Sequence, residues 1–244
     1  MKEAYMKSYK EIKTIFVIIL ILTIVFGYND NKPSFILKDW LLNFIYVFIL
    51  VSLTILFNTM GYKLTAKYLG AEAEIKIWNS HKFSEKFKLT KVSKYILTPV
   101  LSILITLFSN GKIFFSAVST FDIKNYSLYG RKFPKLSYFN LGLIAVGGLF
   151  FNFILMILFK ILMLKEGVLI NAWFIVWNLL PISELPGAKI FFASRVMYLF
   201  SLIFFIVNIL LVQNLSILTA LIISFFFSIL AAVVYFYLVE YLKS

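Results

Sequence analysis

Asn58-Thr59-Met60-Gly61-Tyr62-Lys63-Leu64-Thr65-Ala66-Lys67-Tyr68-Leu69-Gly70 follows directly on the apolar run Trp40 to Phe57, and its reading decides the architecture of the chain. The stretch continues with helix-forming residues and stops at Gly70, the residue type that commonly follows a helix C-terminus. On an unbroken helix, Asn58 and Tyr62 lie four residues apart on one face with Thr59 beside them. Three polar side chains therefore gather at the end of an apolar span.

The composition places that span in a membrane. Hydrophobic residues make up 61% of the 244 and charged ones 14%, against about 45–50% and about 25% in soluble domains. Mean hydropathy is +0.92. The chain reads as one integral membrane domain over residues 1–244, with the lipid bilayer as its first partner. It has no cysteine, which excludes disulfides, thiolate metal sites and a cysteine nucleophile. A single histidine, His81, excludes any site that needs two imidazoles from this chain. The net charge of +13 fits the excess of Lys and Arg on the cytoplasmic side of membrane proteins and attraction to anionic headgroups. No basic motif of a known nucleic-acid reader is present, so no nucleic-acid partner is expected.

Outward from the opening stretch, apolar runs predict six helices, at about 12–28, 40–69, 138–164, 168–181, 195–212 and 216–242. The first follows Lys2, Lys7, Lys10 and Lys13. It has no small-residue cleavage site at Gly27-Tyr28-Asn29-Asp30, so it reads as an uncleaved span. Between the second and third lies an insert at about 70–137. In it, Ala71 to Trp78 alternates small or apolar with mostly charged residues, the period of a strand with one covered face. Ile96 to Phe108 is shorter than the roughly 20 residues of a helical crossing, holds Pro99 and has basic segments on both sides. It reads as a re-entrant or interfacial segment. Ile113 to Phe121 is rich in β-branched and aromatic residues and predicts a second strand. Asp122 beside Lys124 reads as a loop charge, Lys165-Glu166-Gly167 as a tight external turn, and Ile182 to Lys189 as irregular chain after Pro181. Setting aside Lys32, Lys38, Lys160 and Lys165, the basic residues fall on one side of six spans. This predicts a multi-pass protein of the cell membrane with both termini cytoplasmic. The fold class is an all-α polytopic membrane protein with a small membrane-associated β insert.

Two separated pieces carry the functional signal: Asn58-Thr59-Met60-Gly61-Tyr62, and Asn178-Leu179-Leu180-Pro181-Ile182-Ser183-Glu184-Leu185-Pro186-Gly187. Together with Gly148-Leu149-Phe150-Phe151-Asn152 between them, they resemble the site-2 protease family of intramembrane zinc metalloproteases, particularly its prokaryotic members. That family carries H-E-x-x-H on one helix, N-x-x-P-x-x-x-L-D-G on another and G-P-x-x-N between. Lys63 to Gly70 and Ala188-Lys189-Ile190-Phe191 share the family's look, and the resemblance covers about Leu41 to Phe192.

The departures decide what the resemblance implies. Zinc in such a site takes three protein ligands and a water, with a glutamate as general base. The two histidine positions are Asn58 and Tyr62, the glutamate position is Thr59 and the aspartate position is Pro186. None of these serves as a base near neutral pH. The expectation is a pseudoprotease with no catalytic residues and no cofactor, the family's zinc being lost. Its partner would be a transmembrane segment or extended peptide of another membrane protein, captured by strand addition. Asn152 and Asn178 line the cavity by analogy, or make interhelical hydrogen bonds. Glu184 is either a substitute acid or a loop carboxylate pairing with Lys189. His81, among Asn79, Ser80 and Lys82, reads as a surface residue. The alternatives are an active intramembrane peptidase with a rearranged site using Glu184, Asp122 or His81, and a small membrane transporter.

Overall fold

The computed structural model describes residues 2–29, 35–78, 91–128, 131–132 and 136–241. In chain order they form α1 (Lys2–Gly27), α2 (Leu37–Tyr68), β1 (Ala71–Ile77), α3 (Lys91–Phe108), β2 (Ser119–Leu128) and β3 (Arg131–Lys132). These are followed by α4 (Tyr138–Ile161), α5 (Lys165–Asn178), α6 (Pro186–Ala193), α7 (Arg195–Leu211) and α8 (Ile217–Tyr235). A short π-helical turn, Phe236–Tyr241, continues α8. His81 lies outside the described residues.

Among the described residues, three helical segments, Leu37–Tyr68, Tyr138–Ile161 and Ile217–Val239, are long and apolar enough to cross a membrane. α5 and α7 coincide with expected spans but have 14 and 17 residues, short of the roughly 20 that a crossing needs. The opening stretch behaves as its composition requires. α2 runs through Asn58 to Tyr68, and Gly70 takes φ 72° and donates its N–H to the Lys67 carbonyl at 3.0 Å. A glycine adopts that left-handed conformation without steric cost.

α4 is the axis on which α2, α5 and α6 bear, and its glycines set the approach of α2 and α6. A Cβ on Gly61 of α2 would lie 2.6 Å from the Gly147 carbonyl oxygen and 2.9 Å from the Gly148 Cα. Backbone therefore meets backbone where α2 crosses α4, the close approach that small residues permit between membrane helices. A Cβ on Gly148 would overlap the Tyr62 ring, and one on Gly142 would overlap Ala193. Ser194, in extended conformation, ends α6 and also begins α7, accepting from the Met197 N–H at 3.3 Å.

β1 and β2 pair antiparallel, with Ile75 opposite Phe121 and a register shift between Glu72 and Ala73; β2 then pairs with β3. The first strand matches its alternation: Ala71, Ala73 and Ile75 are buried, while Glu72 and Lys76 are exposed.

The second strand is displaced from its expected position. It begins at Ser119, and Ile113 to Val118 is turn and bend. Composition misled here because the aromatics fill a core and do not alternate across a pleat. Phe114 stacks on Phe26 at 5.1 Å, and Phe115 lies 4.5 Å from Trp177 and 6.4 Å from Trp78. The expected re-entrant segment belongs to one longer helix, α3, that includes Pro99. Thr98, Ser102 and Thr106 form its buried stripe. The last two give their hydroxyls to carbonyls four residues back. The expected irregular chain at 182–189 contains the start of α6, with Pro186 at its first turn, where the missing N–H costs nothing. Lys165 and Glu166 open α5 instead of forming a turn; the reversal lies just before, at Met163 with φ 58°.

Candidate functional site

Asn58, Asn152, Asn171 and Thr54 form one buried hydrogen-bonded cluster joining α2, α4 and α5. Asn58 Nδ2 donates to Asn152 Oδ1 at 2.7 Å. Asn152 Nδ2 donates to the Thr54 carbonyl at 3.0 Å and to Asn171 Oδ1 at 3.1 Å. Asn171 Nδ2 donates to Thr54 Oγ1 at 3.1 Å and to the Gly167 carbonyl at 2.9 Å. All four residues are at most 2% exposed. Interhelical hydrogen bonds in membranes average about 0.6 kcal/mol each. Breaking the cluster costs more, because the partners left behind are buried amides. The sequence singled out Asn58 and Asn152, and the structure joins them. It did not single out Asn171, although an amide inside the apolar run from Val168 to Trp177 was a usable signal.

Tyr62, one turn beyond Asn58, is wholly buried. Its ring lies on the bare backbone of Gly148 and 4.5 Å from the Phe121 ring. The space in front of this helix face is thus filled by an aromatic pair, and the Tyr62 hydroxyl is buried without a hydrogen-bond partner among the described residues. Thr59 is buried, and its hydroxyl has no hydrogen-bond partner among the described residues. Asn178 donates to the Phe174 carbonyl at 2.8 Å, and its Oδ1 is buried without a protein partner. Pro186 is buried at the head of α6, which packs chiefly on α4 and α7. Comparison with models of protein families, with curated proteins and with solved structures returns no match to this chain.

The zinc that the sequence resemblance implies does not fit these residues. The Asn58 amide nitrogen is a donor committed to Asn152, the Tyr62 ring is packed between Gly148 and Phe121, and Pro186 has no side-chain donor atom. Zinc sites use imidazole, thiolate or carboxylate. Among the described residues, no three of His, Cys, Asp and Glu come together.

The geometry of the remaining sequence candidates centres on the sheet. Asp122 is a strand residue, not a loop charge, and it forms an ion pair with Lys76. Lys189 turns to β2. Its amine donates to the Phe121 carbonyl and to Thr120 Oγ1 at 3.2 Å, and stands 3.8 Å over the Phe121 ring. Glu184 is exposed, and its backbone carbonyl accepts from Thr120 Oγ1 at 2.6 Å. Burial lowers the Lys189 ammonium from the ordinary 10.5 to about 8, while the Asp122 and Glu184 carboxylates pull the other way. A cavity of about 500 Å³ opens beside it, lined by Tyr138, Leu141, Ser183, Glu184, Ala188, Lys189 and Phe192.

The other side of the sheet was not foreseen from the sequence. Glu11 of α1 accepts the Ile75 N–H on Oε1 at 3.2 Å and the Lys63 ammonium on Oε2 at 2.9 Å. Ile75 and Phe121 are register partners, and both point these backbone groups away from each other, as a non-hydrogen-bonded antiparallel pair does. One rung of the ladder therefore ends in a carboxylate on its β1 side and an ammonium on its β2 side.

Proposed function

We propose that this chain is a catalytically silent membrane protein of the site-2 protease type, with six membrane-inserted helices and both termini cytoplasmic. It binds an extended segment of a membrane partner. One observation carries the reading: the side chains at the motif positions are used to hold helices together. Asn58 pins α2 to Asn152 of α4, and Tyr62 fills the notch above Gly148. Asn, Thr, Tyr and Pro supply no metal-ligand set and no base, so the partner is taken up by the sheet, through backbone groups.

The test has two arms. Purified protein in bilayers is assayed for zinc and for cleavage of a membrane-segment substrate, and substoichiometric zinc without cleavage is expected. Stoichiometric zinc with turnover would overturn the silent reading. Photo-crosslinkers on β1 are expected to capture a membrane protein, and capture of lipid alone would remove the binding role. Rebuilding the site with Asn58→His, Thr59→Glu, Tyr62→His and Pro186→Asp is expected to create zinc binding. A folded variant that binds none would remove the site-2 protease assignment.

A further inference from the structure

The outer edge of β1 has no paired strand among the described residues, yet its central N–H, on Ile75, is not left open. Glu11 sits there as the carbonyl of a neighbouring strand would, and its second oxygen is held by Lys63. An exposed strand edge invites pairing with another chain, and covering it or placing a charge on it is how proteins prevent that.

The two caps of the rung differ in strength. On β2 the cap is doubled: Lys189 binds both Phe121 and Thr120, and Thr120 also ties the Glu184 carbonyl. On β1 it is a single carboxylate, 15% exposed, whose counter-ion Lys63 has a side chain 45% exposed, so solvent screens the pair from the lysine side. Beside Glu11, Tyr9 and Ile12 of α1 are 65% and 61% exposed, although α1 also packs against β1 and α2.

The geometry points to an autoinhibitory latch: Glu11 of α1 occupies the β1 edge in place of a partner strand. The partner that displaces it is an extended acidic segment, whose backbone carbonyl takes the Ile75 N–H and whose carboxylate takes Lys63. The kind of partner rests on the binding role proposed above, whereas the latch itself does not. β1 is the releasable edge, and β2 stays closed by Lys189.

Amide hydrogen exchange on the full-length protein in bilayers tests the latch. In Glu11→Ala, exchange at Ile75 is expected to rise about tenfold or more, while Glu74 and Lys76, whose N–H groups face β2, stay protected. Glu11→Gln retains a carbonyl acceptor and is expected to fall between. An unchanged Ile75 amide in folded Glu11→Ala would overturn the latch. A short synthetic peptide alternating Val with Glu is then titrated against wild type and Glu11→Ala, with a Val–Lys peptide for comparison. Binding of the acidic peptide about tenfold tighter to Glu11→Ala, with renewed protection of Ile75, is expected. Equal binding of both peptides would overturn the acidic assignment. If Ile75 opens and neither peptide binds, the latch stands and the peptide-binding role falls.

Discussion

The cluster joining α2, α4 and α5 and the hairpin of α7 and α8 both bury asparagine among apolar side chains, with opposite results. Asn58, Asn152 and Asn171 bond to one another across three helices. Asn208 of α7 is 1% exposed, yet neither its Oδ1 nor its Nδ2 has a hydrogen-bond partner among the described residues. Serines on α8 serve their own helix: Ser224 bonds to the Ala220 carbonyl at 2.6 Å, and Ser228 bonds to Ser224. The apolar window of α4 is 50% buried within the protein and that of α8 only 17%. Phe225, Phe226 and Ile222 of α8 point outward, as a helix facing lipid requires. The same residue type thus locks tertiary structure in one region and stands idle in the other.

The largest effect expected is at the notch. Gly148→Ala places a methyl group into the Tyr62 ring and is expected to destabilise by about 3 kcal/mol. Unfolding in mixed detergent measures it. Adding Tyr62→Ala is expected to recover part of the loss, because the two changes share one volume. Next, Asn152→Ala removes the acceptor of Asn58 and leaves buried amides unpaired, for an expected loss of about 2 kcal/mol. The matching change in the hairpin, Asn208→Leu, is expected to be neutral or stabilising by up to about 1 kcal/mol. Equal losses for the two asparagines would erase the contrast between the regions.

The last effect belongs to Lys189 and is read as a pH dependence. Its folded value is depressed to about 8 from 10.5, so between these the unfolded chain binds the extra proton. The stability it contributes is then present above the unfolded value and is lost as pH falls through about 8. The difference between wild type and Lys189→Met in unfolding midpoint should change across that window and be flat below it. A difference that is flat throughout would show that the amine is not desolvated.

The sequence made much of this legible where a local rule decides. Hydropathic runs placed α2, α4 and α8, Gly70 marked the end of α2, and alternation marked β1. Asn58 and Asn152 each stood out through the motif it sits in, and an interhelical hydrogen bond was one of the two readings of Asn152. What the sequence hid is what only folding brings near: Glu11 and Ile75 are 64 residues apart, and Lys189 and Phe121 are 68 apart. Ile113 to Val118 was misread because the residues that favour a pleated strand are those that fill an aromatic core. The start of α6 is hidden because Ile182 to Lys189 reads as irregular chain after Pro181, whereas Pro186 opens a helix.

α4 shows bare backbone in two directions, to α2 through Gly147 and Gly148 and to the α6–α7 corner through Gly142. Seen as inheritance, this concentrates the chain's intolerance. A saturation map of α4 should show wide latitude among the lipid-facing apolar positions. Three codons should stand out in it as fixed points, each admitting a single residue.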